Sequence, residues 1–410
     1  MSPIGRAFAY AASCALAGFA LVSHAAPSAS AVQGGPFSEI NTGVRCHYRL
    51  KSDPTGVATG FVAADHILRG QWHNASILKS RSMFFTDAAP ATLRAACMKK
   101  ISTVPDSNGL AMIGAADNAQ SYNYEIWYNG DLAKGKPIER IVSFGDSLSD
   151  TGNMFNESQW KLPGASWYLG RFSNGPTWIE HLAARTGLAL NNWAIGGAQT
   201  KDAKFGIIHG VGRQIDGFFN YAAKAKGYDP SRTLFTFLIS GNDFVNDTKT
   251  APKIVEDQEL ALRRLVDHGA RKILVVNLPD ISVAPVFRLG RTDAGTILGK
   301  VEYYNHHIAQ VVERVNATTP AEVRLVNARA YFDDVLKAPG RFGIANTKDS
   351  CLAIDSPSST SYIKAQKRRP DCTDPSKYVF WDTLHPTTRV HELMAQWAIE
   401  AAPVAWGLRK

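Results

Sequence analysis

Short apolar runs alternate with longer amphipathic segments along the chain from about residue 138 onward. The short runs predict β-strands at 141–144, 234–239, 272–277 and 323–327. The longer segments place apolar residues at helical spacing and predict helices at 179–186, 253–268, 303–317 and 390–401. Strands and helices that alternate in this way form a parallel sheet covered on both faces. This part of the chain is therefore predicted to be an α/β domain.

A different pattern precedes that alternation. Residues 45–50 and 122–128 alternate between apolar and polar side chains, which is typical of half-buried strands. A turn-rich, basic link at 129–137 then separates the two patterns. A chain of 410 residues is long enough for two domains. We therefore expect a smaller strand-rich N-terminal domain over 26–135 and the α/β domain over 136–410.

The first residues have the composition of a secretory signal peptide. Arg6 supplies the positive start, an alanine-rich apolar stretch follows at 7–22, and Ser23 and Ala25 are small enough for cleavage before Ala26. A second acceptable cleavage site follows Ala31. The stretch of about sixteen apolar residues is short for a membrane anchor, and Cys14 lies in a poor context for a lipid anchor. Residues 1–25 are expected to be removed, which predicts a secreted or periplasmic protein.

Removal of that segment leaves four cysteines, at Cys46, Cys97, Cys351 and Cys372. An even number of cysteines in an exported protein favours two disulfides, and four cysteines allow three pairings. The pairing Cys46–Cys97 with Cys351–Cys372 is favoured, because it keeps each bond within one predicted domain. Metal binding is the rival interpretation, but these spacings are too wide for a zinc site.

The charge balance is basic, with a formal net charge of +9. Two interpretations stay open: a surface attracted to anionic lipid headgroups, or an ordinary solvated basic surface. The basic residues are too dispersed to predict nucleic-acid binding, since 367–369 is the only dense cluster. The sequence contains neither zinc-type ligand spacing nor a phosphate-binding loop, so we expect neither a metal nor a cofactor.

Four short polar blocks carry the candidate chemistry. The first, 144–153, reads Phe-Gly-Asp-Ser-Leu-Ser-Asp-Thr-Gly-Asn and directly follows a predicted strand, so its serine is expected at the carboxyl edge of the sheet. The others are 192–198 (Asn-Trp-Ala-Ile-Gly-Gly-Ala), 240–243 (Ser-Gly-Asn-Asp) and 382–386 (Asp-Thr-Leu-His-Pro). Acyl transfer by serine needs a nucleophile, a base, a group that orients the base, and donors for the oxyanion. The blocks offer one candidate for each role.

Each block alone has a structural explanation. Ser147 could cap a helix, Gly197 could serve a turn, Asn242 could follow a strand in a left-handed conformation, and Asp382 with His385 could be a surface pair. The occurrence of all four blocks in this order favours an active site. The other histidines lack a comparable setting and are interpreted as surface or structural residues: His47, His66, His73, His181, His209, His268, His306, His307 and His391.

From about residue 138 to the C-terminus, these blocks resemble the GDSL, or SGNH, family of lipases and esterases. The resemblance implies a flavodoxin-like three-layer α/β/α fold with the active site at the carboxyl ends of the strands. It also implies that Ser147 is the nucleophile, His385 the general base and Asp382 the group that orients the base. The implied oxyanion donors are the backbone N–H groups of Ser147 and Gly197 and the side-chain amide of Asn242.

Further features resemble one branch of that family. The segments 170–178 and 277–280 are typical of its larger lipase-like members. A strand-rich domain behind a signal peptide resembles the bacterial phospholipases that include thermolabile haemolysins and glycerophospholipid–cholesterol acyltransferases. Some of those haemolysins lack the acid before the histidine, whereas this chain has Asp382, which implies an ordinary triad.

The branch implies a phospholipase A or lysophospholipase that acts on phospholipid or lysophospholipid acyl esters through an acyl-enzyme. Transfer of the acyl group to a sterol is a further expectation, as is contact with a membrane surface. The alternatives are an esterase for carbohydrate acetyl groups or small soluble esters, and a binding protein with an inert α/β domain. The sequence predicts no oligomeric state.

The expected loop between Cys351 and Cys372 suggests regulation. It contains a Ser-rich stretch at 356–361 and the basic cluster 367–369, which we expect at an exposed tip that proteases would cut. Related acyltransferases are activated by cleavage within a disulfide loop, which implies a removable lid. A purely structural surface loop is the alternative.

Overall fold

The computed structural model describes residues 39–74, 82–116, 125–130, 136–201, 208–246, 249–356 and 358–409. The predicted signal peptide, with Cys14, lies outside the described residues, as do 122–124 of a predicted strand and 131–135 of the predicted link. Among the helices of the described ranges, none is long and apolar enough to cross a membrane.

The N-terminal region is built on a five-stranded sheet. Its strands are β1 (Ile40–Leu50), β2 (Thr59–Asn74), β3 (Ser82–Thr86), β4 (Ser107–Ala116) and β5 (Glu125–Tyr128), and they lie in the order β4-β1-β2-β3-β5. All neighbours are antiparallel except β3 and β5. One helix, α1 (Pro90–Ile101), packs on this sheet, and the Cys46–Cys97 disulfide ties β1 to it. The predicted strand-rich N-terminal region is confirmed.

The second sheet has five parallel strands. They are β6 (Arg140–Gly145), β7 (Ala189–Asn192), β8 (Thr233–Leu238), β9 (Lys272–Val276) and β10 (Glu322–Val326), in the order β10-β9-β8-β6-β7. Every residue of β6 and β8 is buried, as expected for central strands covered on both faces. The strand order reverses at β6, whose neighbours β7 and β8 come next in the chain. This order is the flavodoxin type, in which a binding crevice is expected at the carboxyl ends of β6 and β8.

Helices cover both faces of the parallel sheet, which confirms the predicted α/β class. They are α2 (Asn153–Glu157), α3 (Trp178–Thr186), α4 (Val211–Ala222), α5 (Gly241–Val245), α6 (Ala251–Asp267), α7 (Ala294–Thr318), α8 (Ala328–Lys337) and α9 (Thr388–Ala401). In one layer α3 and α8 pack against α9, and in the other α6 packs against α4 and α7. A short parallel pair, β11 (Asn346–Ser350) and β12 (Tyr378–Phe380), precedes the last helix.

The predicted elements of the α/β domain are all present, but some boundaries and elements were missed. The predicted helix 303–317 is the second part of α7, which begins at Ala294. The glycines in its first turns weaken the helical pattern, whereas burial of Ile297 and Val301, one turn apart, stabilises it. Helices α4 and α8 and strand β7 were not predicted at all.

Strand β7 was not predicted, because its last two residues are asparagines and the apolar pattern of a buried strand is therefore missing. Both are buried and bond to the N-terminal sheet: Asn191 Nδ2 donates to Glu125 Oε1 (3.0 Å), and the backbone N–H of Asn192 donates to the same oxygen (2.9 Å). Arg140 reaches the same place, with its guanidinium 4.2 Å from the ring of Trp127 and a bond to the carbonyl of Tyr128. Polar residues of β6 and of the edge strand β7 therefore attach the two sheets to each other.

Candidate active site

Ser147 lies immediately beyond the carboxyl end of β6. The strand ends at Gly145, where a Cβ would collide with the carbonyl oxygen of Leu238 on β8, so this close approach requires glycine. The chain then turns sharply, with the N–H groups of Ser149 and Asp150 both donating to the carbonyl of Asp146 at 3.0 Å. The turn leaves Ser147 only 7% exposed, at the carboxyl edge of the parallel sheet.

His385 and Asp382 come from the turn that follows β12. The N–H of Trp381 donates to the carbonyl of His385 (2.8 Å), and the N–H groups of Leu384 and His385 both donate to Asp382 Oδ1 at 2.8 Å. His385 Nδ1 lies 3.0 Å from each Asp382 oxygen, and His385 Nε2 lies 2.8 Å from Ser147 Oγ. The structure thus brings the three side chains into one hydrogen-bonded line, although they are far apart in sequence.

The electrostatics of Asp382 follow from these contacts. Complete burial acts to raise the pKa of this carboxyl, but the charge interaction and hydrogen bonds with His385 and the two backbone N–H groups outweigh burial. The pKa of Asp382 is therefore held below its usual value. An ionised carboxylate at this position favours a proton on the near ring nitrogen of His385, Nδ1, which leaves Nε2 free to accept one from Ser147.

Two aromatic side chains that the sequence analysis missed also touch this line. Trp167 Nε1 donates to Asp382 Oδ2 at 2.8 Å. The Tyr362 hydroxyl lies 3.4 Å from both Asp382 Oδ1 and His385 Nδ1, and its ring meets the His385 ring edge-on. Burial, followed by the negative charge of Asp382, holds the pKa of Tyr362 well above its usual value, so this hydroxyl is a neutral donor. The sequence feature that could have indicated this contact is the position of Tyr362 inside the expected loop between Cys351 and Cys372.

The two candidate oxyanion donors beyond Ser147 lie on adjacent loops. Gly197 follows β7 with a positive φ of 80°, a conformation that favours glycine. Asn242 lies in the first turn of α5, directly beyond β8, and its Nδ2 donates one hydrogen to the carbonyl of Ala198 (3.0 Å). Since Nδ2 carries two hydrogens, the second is available for an oxyanion.

A buried carboxylate, Asp243, ties these two loops together. Its Oδ2 accepts from the N–H of Thr200 (3.0 Å), and its Oδ1 accepts from the Thr200 hydroxyl (2.9 Å). Lys249 Nζ bonds to the same hydroxyl (2.7 Å) and lies 3.6 Å from Asp243 Oδ1. Burial raises the pKa of Asp243, while the Thr200 N–H and Lys249 oppose the rise. This network fixes the loop that carries Gly197 relative to the loop that carries Asn242.

A second buried acid, Asp146, precedes the serine. Burial raises its pKa to about 7, although the hydrogen bond that its Oδ1 accepts from the N–H of Leu148 (3.0 Å) opposes the rise.

His391 is also fully buried, and burial lowers its pKa well below the usual value, so it is neutral in the fold.

The loop between Cys351 and Cys372 differs from expectation in one respect. The disulfide joins these two residues, but the basic cluster 367–369 lies in a paired segment and not at the tip of the loop. Its backbone pairs with 351–353, through Ala353 N–H to the Lys367 carbonyl and Arg369 N–H to the Cys351 carbonyl, both at 2.8 Å. The Arg369 side chain bonds to Asp355 Oδ1 and the Ser350 carbonyl, each at 3.0 Å. The Lys367 side chain is nonetheless exposed, and cleavage within this loop stays a prediction.

Comparisons with known proteins identify the family of this chain. A family model described as GDSL-like Lipase/Acylhydrolase matches residues 141–398, which is more than half of the chain. A second, described as the N-terminal domain of Vibrio dual lipase/transferase, matches residues 20–129.

Three proteins are similar to this chain over more than half of its length. A thermolabile hemolysin of Vibrio parahaemolyticus is 35% identical over 92% of this chain and 91% of its own length. A phosphatidylcholine-sterol acyltransferase of Aeromonas hydrophila is 29% identical over 63% of this chain and 88% of its own length. A GDSL esterase/lipase of Arabidopsis thaliana is 23% identical over 62% of this chain and 84% of its own length.

Proposed function

We propose that this chain, which belongs to the GDSL-like lipase and acylhydrolase family, is a lipid acyl hydrolase that uses Ser147 as its nucleophile. The observation that carries the proposal is the unbroken line from Ser147 Oγ to His385 Nε2 (2.8 Å) and from His385 Nδ1 to Asp382 (3.0 Å).

The reaction follows from that line. His385 Nε2 removes the proton of Ser147 as Oγ attacks the ester carbonyl, and ionised Asp382 stabilises the imidazolium that forms. The tetrahedral oxyanion accepts hydrogen bonds from the backbone N–H groups of Ser147 and Gly197 and from the amide of Asn242. Each such donor typically contributes about 3 kcal/mol in the transition state. Collapse releases the alcohol, with the His385 proton, and leaves an acyl group on Ser147.

The substrate that we propose is the acyl ester of a phospholipid or lysophospholipid. Water attacking the acyl-enzyme gives a fatty acid, and a sterol hydroxyl in place of water gives a sterol ester. His385 accepts the proton of either acceptor, so the same residues support both outcomes. The hemolysin and the sterol acyltransferase among the relatives support this substrate class.

The place of action that fits this chemistry is outside the cytoplasm. The two disulfides and the relationship to the hemolysin are consistent with an extracellular or periplasmic protein. We propose further that residues 1–25 are removed as a signal peptide and that the enzyme works at a membrane surface.

Product analysis tests the proposal. The mature protein and its Ser147→Ala variant are incubated with phosphatidylcholine vesicles that contain cholesterol, and the lipids are separated and quantified. The expected result is fatty acid, cholesteryl ester or both from the wild type and neither from the variant. Hydrolysis of acetylated carbohydrate or p-nitrophenyl acetate without any lipid product would contradict the lipid assignment. A product yield that Ser147→Ala leaves unchanged would contradict the nucleophile.

A further inference from the structure

Two large apolar side chains are exposed on the chain segments around Tyr362, the tyrosine that contacts His385 and Asp382. Trp160 is 39% exposed and Ile363 is 48% exposed. Ile363 directly follows Tyr362, whose hydroxyl lies 3.4 Å from His385 Nδ1. An exposed apolar residue is therefore one position along the chain from a side chain in contact with the candidate base.

The two segments that carry these residues lie side by side, and we call residues 159–166 together with 360–367 the rim surface. The Gly164 N–H donates to the Tyr362 carbonyl at 2.7 Å. Ser166 Oγ donates to the Gln366 carbonyl (2.9 Å) and accepts from the Gln366 N–H (2.7 Å). A Cβ on Gly164 would lie 2.7 Å from the Ile363 carbonyl oxygen, so glycine permits this close approach.

The charge of the rim surface has one sign. It contains Lys161, Lys364 and Lys367, all exposed, and neither segment contains Asp or Glu. Tryptophan is enriched where proteins meet the membrane–water interface, because its ring is apolar and its N–H is polar. A lysine close to an anionic membrane strengthens binding by about fivefold. Exposed Trp and Ile among lysines, without acids, match the chemistry of an anionic lipid surface.

We propose that the rim surface docks the protein on an anionic lipid surface, with Trp160 and Ile363 entering the headgroup region. This inference rests on the proposed function, because it supposes that the substrate lies in that surface. The hydrogen bonds between the two rim segments make them one unit, and Tyr362 connects this unit to His385 and Asp382. Docking through the rim surface therefore brings the triad to the lipid that supplies its substrate.

The chain offers a matched control for the apolar pair. Leu260 on α6 is 53% exposed, and α6 packs against α4 and α7 rather than near the rim surface. Leu260→Ala removes comparable exposed apolar surface at a different place on the molecule. A variant with Lys161→Gln and Lys364→Gln tests the charge separately and leaves the apolar contacts in place.

Vesicle binding is measured by cosedimentation of the mature protein in a Ser147→Ala background, which prevents the lipid from being consumed. The vesicles are phosphatidylcholine alone or phosphatidylcholine with one quarter phosphatidylglycerol. Combining Trp160→Ala with Ile363→Ala is expected to weaken binding to the anionic vesicles at least tenfold. The lysine variant should weaken it by about 25-fold at low salt, the product of two cations, and Leu260→Ala by less than about twofold.

The same changes are then made with Ser147 intact, and hydrolysis of vesicle lipid is compared with hydrolysis of soluble p-nitrophenyl butyrate. The ratio of the two rates should fall in the rim variants and stay constant in Leu260→Ala. Binding that the rim variants leave intact, or a wild type that ignores anionic vesicles, overturns the docking surface. If soluble-ester hydrolysis that depends on Ser147 persists in that case, the acyl-transfer chemistry stands and only the docking is wrong.

Discussion

Replacement of Asp382 by Asn tests how the buried carboxylate controls the candidate base. Asp382 Oδ1 accepts from two backbone N–H groups, of Leu384 and His385, and Oδ2 accepts from Trp167 Nε1. An asparagine has one oxygen and one NH₂ group for these positions. With its oxygen at the Oδ1 position it keeps both backbone bonds, whereas the opposite orientation loses both and keeps only the Trp167 bond. The first orientation is therefore favoured by one hydrogen bond.

That orientation reverses the tautomer of His385. Nδ1 lies 3.0 Å from both positions, but the oxygen at the Oδ1 position already accepts from two backbone N–H groups. The NH₂ group at the Oδ2 position therefore donates to Nδ1, and the ring proton moves to Nε2. Since Nε2 is 2.8 Å from Ser147 Oγ, it can no longer accept the proton of the serine. Loss of the correct tautomer in a Ser-His-Asp triad lowers kcat by about 10⁴, and we expect a loss of this order for Asp382→Asn.

The same variant leaves the buried Trp167 Nε1–H without its acceptor, which costs about 1–3 kcal/mol of folding free energy. Trp167→Phe in the wild type gives up a hydrogen bond to a charged group, about 1.5–3 kcal/mol, in addition to packing. In the Asp382→Asn background, Trp167→Phe instead removes an N–H group that has lost its acceptor. The packing loss cancels between the two backgrounds, so the coupling free energy should be at least about 2 kcal/mol.

The assay combines kcat on p-nitrophenyl butyrate with urea unfolding of the wild type, both single variants and the double variant. Mass spectrometry checks that the introduced asparagine has not deamidated back to aspartate. A kcat within tenfold of the wild type for Asp382→Asn would refute the tautomer argument. A coupling free energy near zero would refute the role of Trp167 as a donor to the carboxylate.

Three further predictions concern the oxyanion loops and the acid before the serine. Asn242→Ala should lower kcat on a soluble ester by about 10²–10³ with little change in KM, because it removes one oxyanion donor. Asp243→Asn should lower kcat about tenfold or more, since it weakens the bonds to Thr200 that align the two loops. The matched control is Asp257→Asn, which weakens ion pairs with Lys249, Lys253 and Lys201 but touches no bond to Thr200, and it should have a smaller effect. Because the pKa of Asp146 rises to about 7 from 3.8 on folding, its charge destabilises the fold progressively from about pH 4 to 7 and fully above. Asn cannot ionise, so between about pH 4 and 7 the unfolding free energy of Asp146→Asn should decrease by roughly 4 kcal/mol less than that of the wild type. Urea unfolding at several pH values that gives the same pH dependence for both proteins would contradict this.

The sequence predicted the parts of the fold that local patterns specify. The central strands β6 and β8 are mostly apolar and fully buried, and the serine and asparagine blocks follow them directly. Because the two strands are parallel, these blocks are expected to meet at one edge of the sheet. Strand β7 was missed because Asn191 and Asn192 are buried by bonds to Glu125, a residue of the other sheet. No local pattern indicates such a long-range partner.

The same reason explains what was missed at the site. Trp167 lies 215 positions before Asp382, and the Tyr362 contact depends on the path of the loop between Cys351 and Cys372. The basic cluster 367–369 was expected at a loop tip from its composition, whereas backbone pairing with 351–353 places it in a bridged segment. Composition indicates that such side chains reach solvent, as Lys367 does, but not which backbone segment pairs with theirs.

Covalent trapping of the nucleophile tests the central claim most directly. The mature protein is treated with a p-nitrophenyl alkylphosphonate, which mimics the tetrahedral intermediate and stays bound to the attacking oxygen, and the adduct is located by peptide mass spectrometry. The account predicts one adduct, on Ser147, with a labelling rate that falls by about 10³ or more in His385→Ala. An adduct on another residue, or labelling of Ser147 that does not depend on His385, would contradict it.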